Sequence, residues 1–293
     1  MAEAMNVVRW DGLTEAELDA KERAIAAKYM RIFPWGAVLW GIGNTLIWLA
    51  LWPLVFMDLV PLWVAAPIAF LNVTASYLPS HEAQHSIIAR EGQPLRWLNE
   101  LVGHVALIPR AASFQFLRYT HFEHHRHTNN PELDPDISIH APNRKAFFFN
   151  ACREILMPSD QRGATYQATL ERVNRPDLVL PALLMRAGYM LVLLAAAVSG
   201  HALEAALLWW LPLHFAQVYT DYYLSWKPHH PGEETSRYRD TRSFGSNFGN
   251  IGSSGMQYHI VHHLYPRIPL MQPPAPYREL LPLLQRKGCQ LDL

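Results

Sequence analysis

Four stretches of the chain are apolar for long enough to cross a hydrocarbon core of about 30 Å, which takes about 20 helical residues. They are WGAVLWGIGNTLIWLALWPLVF from Trp35, PLWVAAPIAFLNVTASYL from Pro61, LVLPALLMRAGYMLVLLAAAVSG from Leu178 and ALEAALLWWLPLHFAQVYTDYYL from Ala202. Each carries polar residues, so a buried core helix stays open as a reading of any single one. Their arrangement favours spanning. Tight turns near Asp58 and His201 join the first stretch to the second and the third to the fourth, and neither turn contains Lys or Arg. The basic residues fall in the N-terminal, middle and C-terminal regions. That asymmetry puts both turns outside and both termini in the cytoplasm. Trp52 and Trp63, near span ends, suit an aromatic belt.

The remaining pattern predicts a cap. Residues 1–30 have no apolar core, so a cleaved secretory signal is not expected. The stretch TEAELDAKERAIAAKYM reads as an amphipathic helix, with Thr14 and Glu17 at the spacing of a capping box. LVGHVALIP from Leu101 is apolar but too short to span, and reads as an interfacial or re-entrant piece. Arg186 interrupts the third stretch, so it must snorkel or find an anion, either Asp221 or a substrate headgroup. The fold class expected is all-α and integral to the membrane: four transmembrane helices with a cytoplasmic histidine-rich cap. One domain would cover 1–293. It divides into an N-terminal helix (1–34), two spans (35–80), a first part of the cap (81–177), two more spans (178–224) and the rest of the cap (225–293).

Composition narrows the function. The chain has 25 basic and 25 acidic residues, so no nucleic-acid partner is implied. Cys152 and Cys289 are far apart and in no CxxC spacing, which argues against a disulfide framework or a thiolate zinc site. GIGNTL at Gly41 lies inside an apolar span and follows no strand, so it is not a dinucleotide loop, and neither a P-loop nor a GxSxG elbow occurs.

The chemistry is in the histidines. HEAQH holds His81 and His85, four apart. HFEHH holds His121, His124 and His125, and HIVHH holds His259, His262 and His263 at the same i, i+3, i+4 spacing. On helices these rings share a face. All three boxes fall on the predicted cytoplasmic side, near the end of a hydrophobic element. Hydrogen-bonded surface histidines would explain one box but not three. Neutral imidazoles gathered round a cation explain all of them. Eight nitrogens exceed one tetrahedral zinc, so two metals with four or five imidazoles each is the natural count. Without Cys or Met in the boxes, copper(I) and iron–sulfur are disfavoured, while iron, copper, zinc and nickel all suit imidazole.

Boxes of the form HxxxH, HxxHH and HxxHH, with four spans and a cytoplasmic cap, resemble the membrane fatty acid desaturase superfamily, which includes acyl desaturases, lipid hydroxylases and carotenoid ring hydroxylases and ketolases. HFEHHRHTNNPELDPD and YHIVHHLYPRIP carry the likeness beyond the histidines themselves. The resemblance implies two Fe ions in a non-haem di-iron centre that activates O2. It also implies a further histidine ligand after the fourth span. WKPHHPGEE offers His229 and His230 there, and the Pro-His pairing, similar to the ketolase branch, favours His229. The water-bridging asparagine some members carry one turn earlier is not evident, since Ser225 and Trp226 stand near that place. His214, inside the fourth stretch, is a weaker candidate. His104, His127, His140 and His201 lie outside the pattern.

Metal-bound imidazoles usually donate their second N–H to a carboxylate or carbonyl. Asp134, Asp136, Glu82 and Glu123 are placed for this, and Asp240 and Arg242 could tie the cap to the metal region. The function implied is an O2-dependent oxidoreductase that desaturates or hydroxylates the acyl chain of a long apolar lipid, located in the inner membrane if bacterial. No flavin or nicotinamide domain is visible, so electrons would come from a separate ferredoxin, rubredoxin or cytochrome b5 type protein. HPGE at His230 does not indicate a fused b5 domain, which needs far more soluble chain. A carotenoid ring hydroxylase or ketolase is the alternative within the family. A metal-binding membrane transporter and a one-metal zinc hydrolase are the rivals from other classes.

Overall fold

The computed structural model describes residues 12–272 and 274–293, and these are mostly helical. Among the described residues, three helices are long and apolar enough to cross a membrane: Trp35–Phe56, Leu62–Gln84 and Pro176–Val198. The 22 residues of the first rise about 33 Å, close to the thickness of the hydrocarbon core. Leu39, Leu46, Leu71, Leu183, Leu191 and Val198 point outward. Such a girdle suits a lipid surround rather than water.

The fourth apolar stretch is also helical. It runs over residues 202–229 and contains two π-helical segments, Ala206–Trp210 and Asp221–Trp226. Polar groups inside these helices meet one another. Asn72 donates to the Asn44 side chain at 2.6 Å, and Asn44 returns a bond to the Asn72 carbonyl at 2.8 Å. The Trp48 indole donates to the Leu208 carbonyl, inside the first π segment, at 3.0 Å. Asp221 is not the partner of Arg186: Arg162 takes it at 2.9 Å, and Arg186 lies over the Tyr189 ring.

LVGHVALIP forms the end of a helix, Arg96–Val105, and a short 3-10 turn, Ile108–Arg110. Ala111, at φ 48°, reverses the chain into the helix Phe114–His127. The hairpin seats on the first two spans. Ser80 donates to the Gly103 carbonyl at 2.9 Å, and Thr45 to the Val105 carbonyl at 3.1 Å.

Helices from the first and last parts of the described residues pack together. Thr14 starts the helix Glu15–Tyr29 with the expected capping box. Leu18, Ala26 and Tyr29 pack with Leu280, Leu283 and Leu284 of Pro274–Arg286, and with Ile260 and Val261 between the last histidines. Arg242–Phe244 pairs in parallel with Gln290–Asp292, a small two-stranded exception to the all-α expectation. Both helices therefore bear on the third histidine box.

Candidate metal centre

Four separate segments deliver the imidazoles. His81 and His85 end the helix that continues the second span, and His121, His124 and His125 sit in Phe114–His127. His229 ends the 202–229 helix, and His259, His262 and His263 occupy His259–Leu264. The rings divide into two adjoining groups. His81, His85, His121, His125 and His262 place one ligand atom each within 4.8 Å of one another, and so do His124, His229 and His263. His259 joins the second group, its ring 5.1 Å from His229 and 4.7 Å from His263. The groups touch where His125 and His263 stack at 4.2 Å.

Helical spacing explains the division. Residues i and i+4 lie on one stripe, and i+3 falls beside it. His121 and His125 therefore serve the first group and His124 the second. His259 and His263 go to the second group, and His262 crosses to the first.

The nitrogen separations fit shared cations. His85 Nε2 lies 2.8 Å from His121 Nε2, which is 3.1 Å from His125 Nε2, which is 3.0 Å from His262 Nε2. Two nitrogens about 2.1 Å from one ion and at right angles are about 3 Å apart. Both ring nitrogens of His81, Nε2 of His259 and His263, and Nδ1 of His262 are buried without a hydrogen-bond partner. Each such atom costs about 1–3 kcal/mol unless something satisfies it. The residues present thus fit two metal ions.

Burial keeps the lone pairs available. It pushes His85, His121, His125, His259, His262 and His263 well below the usual imidazole range, and neighbouring rings add to the effect. His229 falls to about 3 for the same reason. His124 differs: burial opposes its charge, but the Asp134 carboxylate outweighs that and raises it to about 9.

The second group has its outward nitrogens engaged. His124 Nδ1 meets Asp134 Oδ1 at 2.9 Å, and His229 Nδ1 donates to the Asp240 carbonyl at 3.0 Å. His263 Nδ1 has a longer contact, 3.5 Å, to the Thr128 hydroxyl. These contacts fix which nitrogen faces inward.

The structure places several of the expected residues with other partners. Of the four acids proposed as orienters, only Asp134 touches a ring of either group. Glu82 accepts the Leu270 amide, which the segment after the third box brings to it. Glu123, itself buried, is taken by Arg126 and Arg172. Asp136 accepts from Tyr166 at 2.7 Å, and its amide supports Asp134 at 2.9 Å. His230 turns away and lies on the Trp226 ring, leaving His229 as the member from that pair. His214 bonds the Trp210 carbonyl. His104 packs on Phe114, His201 on Phe56, and His127 meets Glu123 at 3.6 Å. Arg242 pairs with Asp292 rather than with the metal region.

One contributor went unread in the sequence. Asn129, at φ 64°, donates to the carbonyls of Glu234 and Asp240 at 2.7 and 2.8 Å. It thereby holds the carbonyl that orients His229. Asn tolerates this left-handed backbone, so an NN pair just after the box was the available signal.

Comparison with known proteins adds the following. A family model described as fatty acid desaturase matches residues 58–291. An sn-1 oleoyl-lipid 12-desaturase from Synechocystis is 34% identical over 76 residues, 25% of this chain and 20% of that protein. Another from Anabaena variabilis is 34% identical over 82 residues, 27% of this chain and 22% of that protein. A zeaxanthin 4-ketolase from Chlamydomonas reinhardtii is 29% identical over 102 residues, 33% of this chain and 22% of that protein. The aligned stretches thus span about a fifth of each relative.

Proposed function

The chain belongs to the fatty acid desaturase family, and from that premise we propose that it is a multi-pass membrane oxidoreductase acting with O2 on the acyl chain of a lipid. The observation that carries this reading is the convergence of nine imidazoles from four segments, six buried and three half-buried, with lone pairs directed at one another. In this reading His81, His85, His121, His125 and His262 hold one iron, and His124, His229, His259 and His263 hold the other. When bound, the irons supply the O2 activation that removes hydrogen from an unreactive methylene.

The protein's own residues do the rest. Asp134 and the Asp240 carbonyl hold rings in the tautomer that presents Nε2 inward. An apolar cavity of 280 Å³ opens beside the first box, walled by Trp40, Leu78, Ile251 and Met271. It offers an apolar tail an approach along the end of the second span. The four helical stretches act as four spans, with the caps 81–177 and 225–293 and both termini on the cytoplasmic side. A separate small redox protein supplies the electrons.

A carotenoid ring hydroxylase or ketolase is the second reading, favoured by the match to the Chlamydomonas ketolase and by the PHHPGEE segment. Expression in a host that makes both substrates separates the two. New double bonds or hydroxyls in acyl chains support the first, and oxygenated pigment rings the second. Purified protein that binds no iron after loading, or that turns over neither substrate with a reductant and O2, would sink both.

A further inference from the structure

A second cavity, 330 Å³, lies where the third and fourth apolar helices meet the cap helices Arg144–Leu156 and Gln161–Arg172. Arg153, Arg162 and Arg186 line it with Glu154 and Asp221. Three guanidiniums against two carboxylates leave one positive charge. Both acids are already engaged. Asp221 accepts two bonds from Arg162, at 2.9 and 3.4 Å, and a third from Gln217 at 2.8 Å. Glu154 accepts the Ser159 amide at 2.8 Å and its hydroxyl at 2.9 Å. Among the described residues, no carboxylate lies within ion-pair distance of Arg153 or Arg186.

Arg186 is the telling residue. It sits in Pro176–Val198, the most outwardly exposed of the three apolar helices, where Leu183, Leu184 and Leu191 also face out. A guanidinium there is expensive without an anion, and its protein contact is the face of Tyr189 at 5.0 Å. Ile155 and Leu213 give the same cavity an apolar wall. We propose that this cavity binds the anionic headgroup of an amphiphile, a phosphodiester or a carboxylate, through Arg186 and Arg153. Arg162, locked to Asp221, shapes the floor. A soluble anion would not explain why one of the two cations stands on a lipid-facing helix.

The inference rests on the membrane setting proposed above, but its test needs neither metal nor turnover. The purified full chain in a neutral detergent is titrated with a short-chain phosphatidylglycerol, with oleate, with uncharged monoolein and with inorganic phosphate, and thermal stabilisation is recorded. Phosphatidylglycerol or oleate should stabilise it, and their ratio identifies phosphodiester or carboxylate. Arg186→Gln and Arg153→Gln should each weaken that binding roughly tenfold or more, the loss of a charge-assisted contact, while Arg186→Lys retains part of it. Arg278→Gln, on the C-terminal helix, controls for net charge. Equal stabilisation by monoolein or by inorganic phosphate, an unaltered Arg186→Gln protein, or an equal loss in Arg278→Gln would each overturn the proposal. The histidine reading would survive that failure, just as lipid binding would survive a failure to hold iron.

Discussion

His124 gives its Nδ1 hydrogen to Asp134 across 2.9 Å, and Asp134 in turn accepts the amides of Asn129 and Asp136 at 2.8 and 2.9 Å. A carboxylate so held cannot drift, so the ring behind it is fixed with Nε2 towards His229 at 3.3 Å. Asp134→Asn keeps the shape but removes the charge that supports the ring. It should lower metal affinity about 10–100-fold. Competition with a chelator measures this, with circular dichroism as the check that the helices persist. Unchanged affinity would mean that Asp134 only braces the loop.

The two neighbours His229 and His230 make a sharper pair. His229 is buried against His124, His259 and His263, while His230 packs against Trp226. His229→Ala should reduce bound metal by about one ion per chain, because a site short of a ligand rarely retains its ion. His230→Ala should leave the metal count unchanged. Elemental analysis of both purified variants decides it, and the reverse result would remove His229 from the site.

Three apolar helices of spanning length and the histidine boxes were legible because each rests on local spacing. Apolar runs of helical length and repeated HxxHH patterns need no tertiary information. The division of the two HxxHH boxes between the groups also follows from helix geometry, although it takes the structure to show which ring goes where. Partners set by chain crossings were not legible. Glu82 looked like an orienter because it stands beside His81, yet the Leu270 amide, distant in sequence, claims it. Asp221 looked like a counterion for Arg186, yet Arg162 from the cap reaches it first. Sequence proximity ranks acids by neighbourhood, whereas folding assigns them by whichever donor arrives.

Asn129 couples both halves of the cap. Its side-chain amide bonds two carbonyls of the 225–293 segment, and its own backbone amide bonds Asp134. Asn129→Ala removes the donor to the Glu234 carbonyl, leaves the Asp240 carbonyl with His229 alone, and places a less tolerant residue at positive φ. The expected cost is about 1–3 kcal/mol. A lower unfolding temperature is accordingly expected, together with weaker metal binding through the loosened Asp240 carbonyl. A variant as stable as the parent would show that the two segments are held by other contacts.

The cysteines report on the cap without touching the metal region. Cys152 is exposed, whereas Cys289 packs beside the core formed by the N- and C-terminal helices. Burial, aided by the charges of Glu22 and Asp240, pushes the Cys289 thiol up to about 12. The thiolate is the reactive form, so at pH 8 only about one molecule in ten thousand carries it at this site. Iodoacetamide at pH 8 should therefore label Cys152 readily and Cys289 very slowly. Labelling of Cys289 should then rise about tenfold for each unit of pH below its pKa, provided the fold holds. Denaturant should abolish the difference, since the unfolded thiol returns to its ordinary range. Mass spectrometry of peptides from native and denatured samples reads both sites at once. Equal labelling of the two cysteines in the native protein at pH 8 would show that the terminal helices do not close over Cys289.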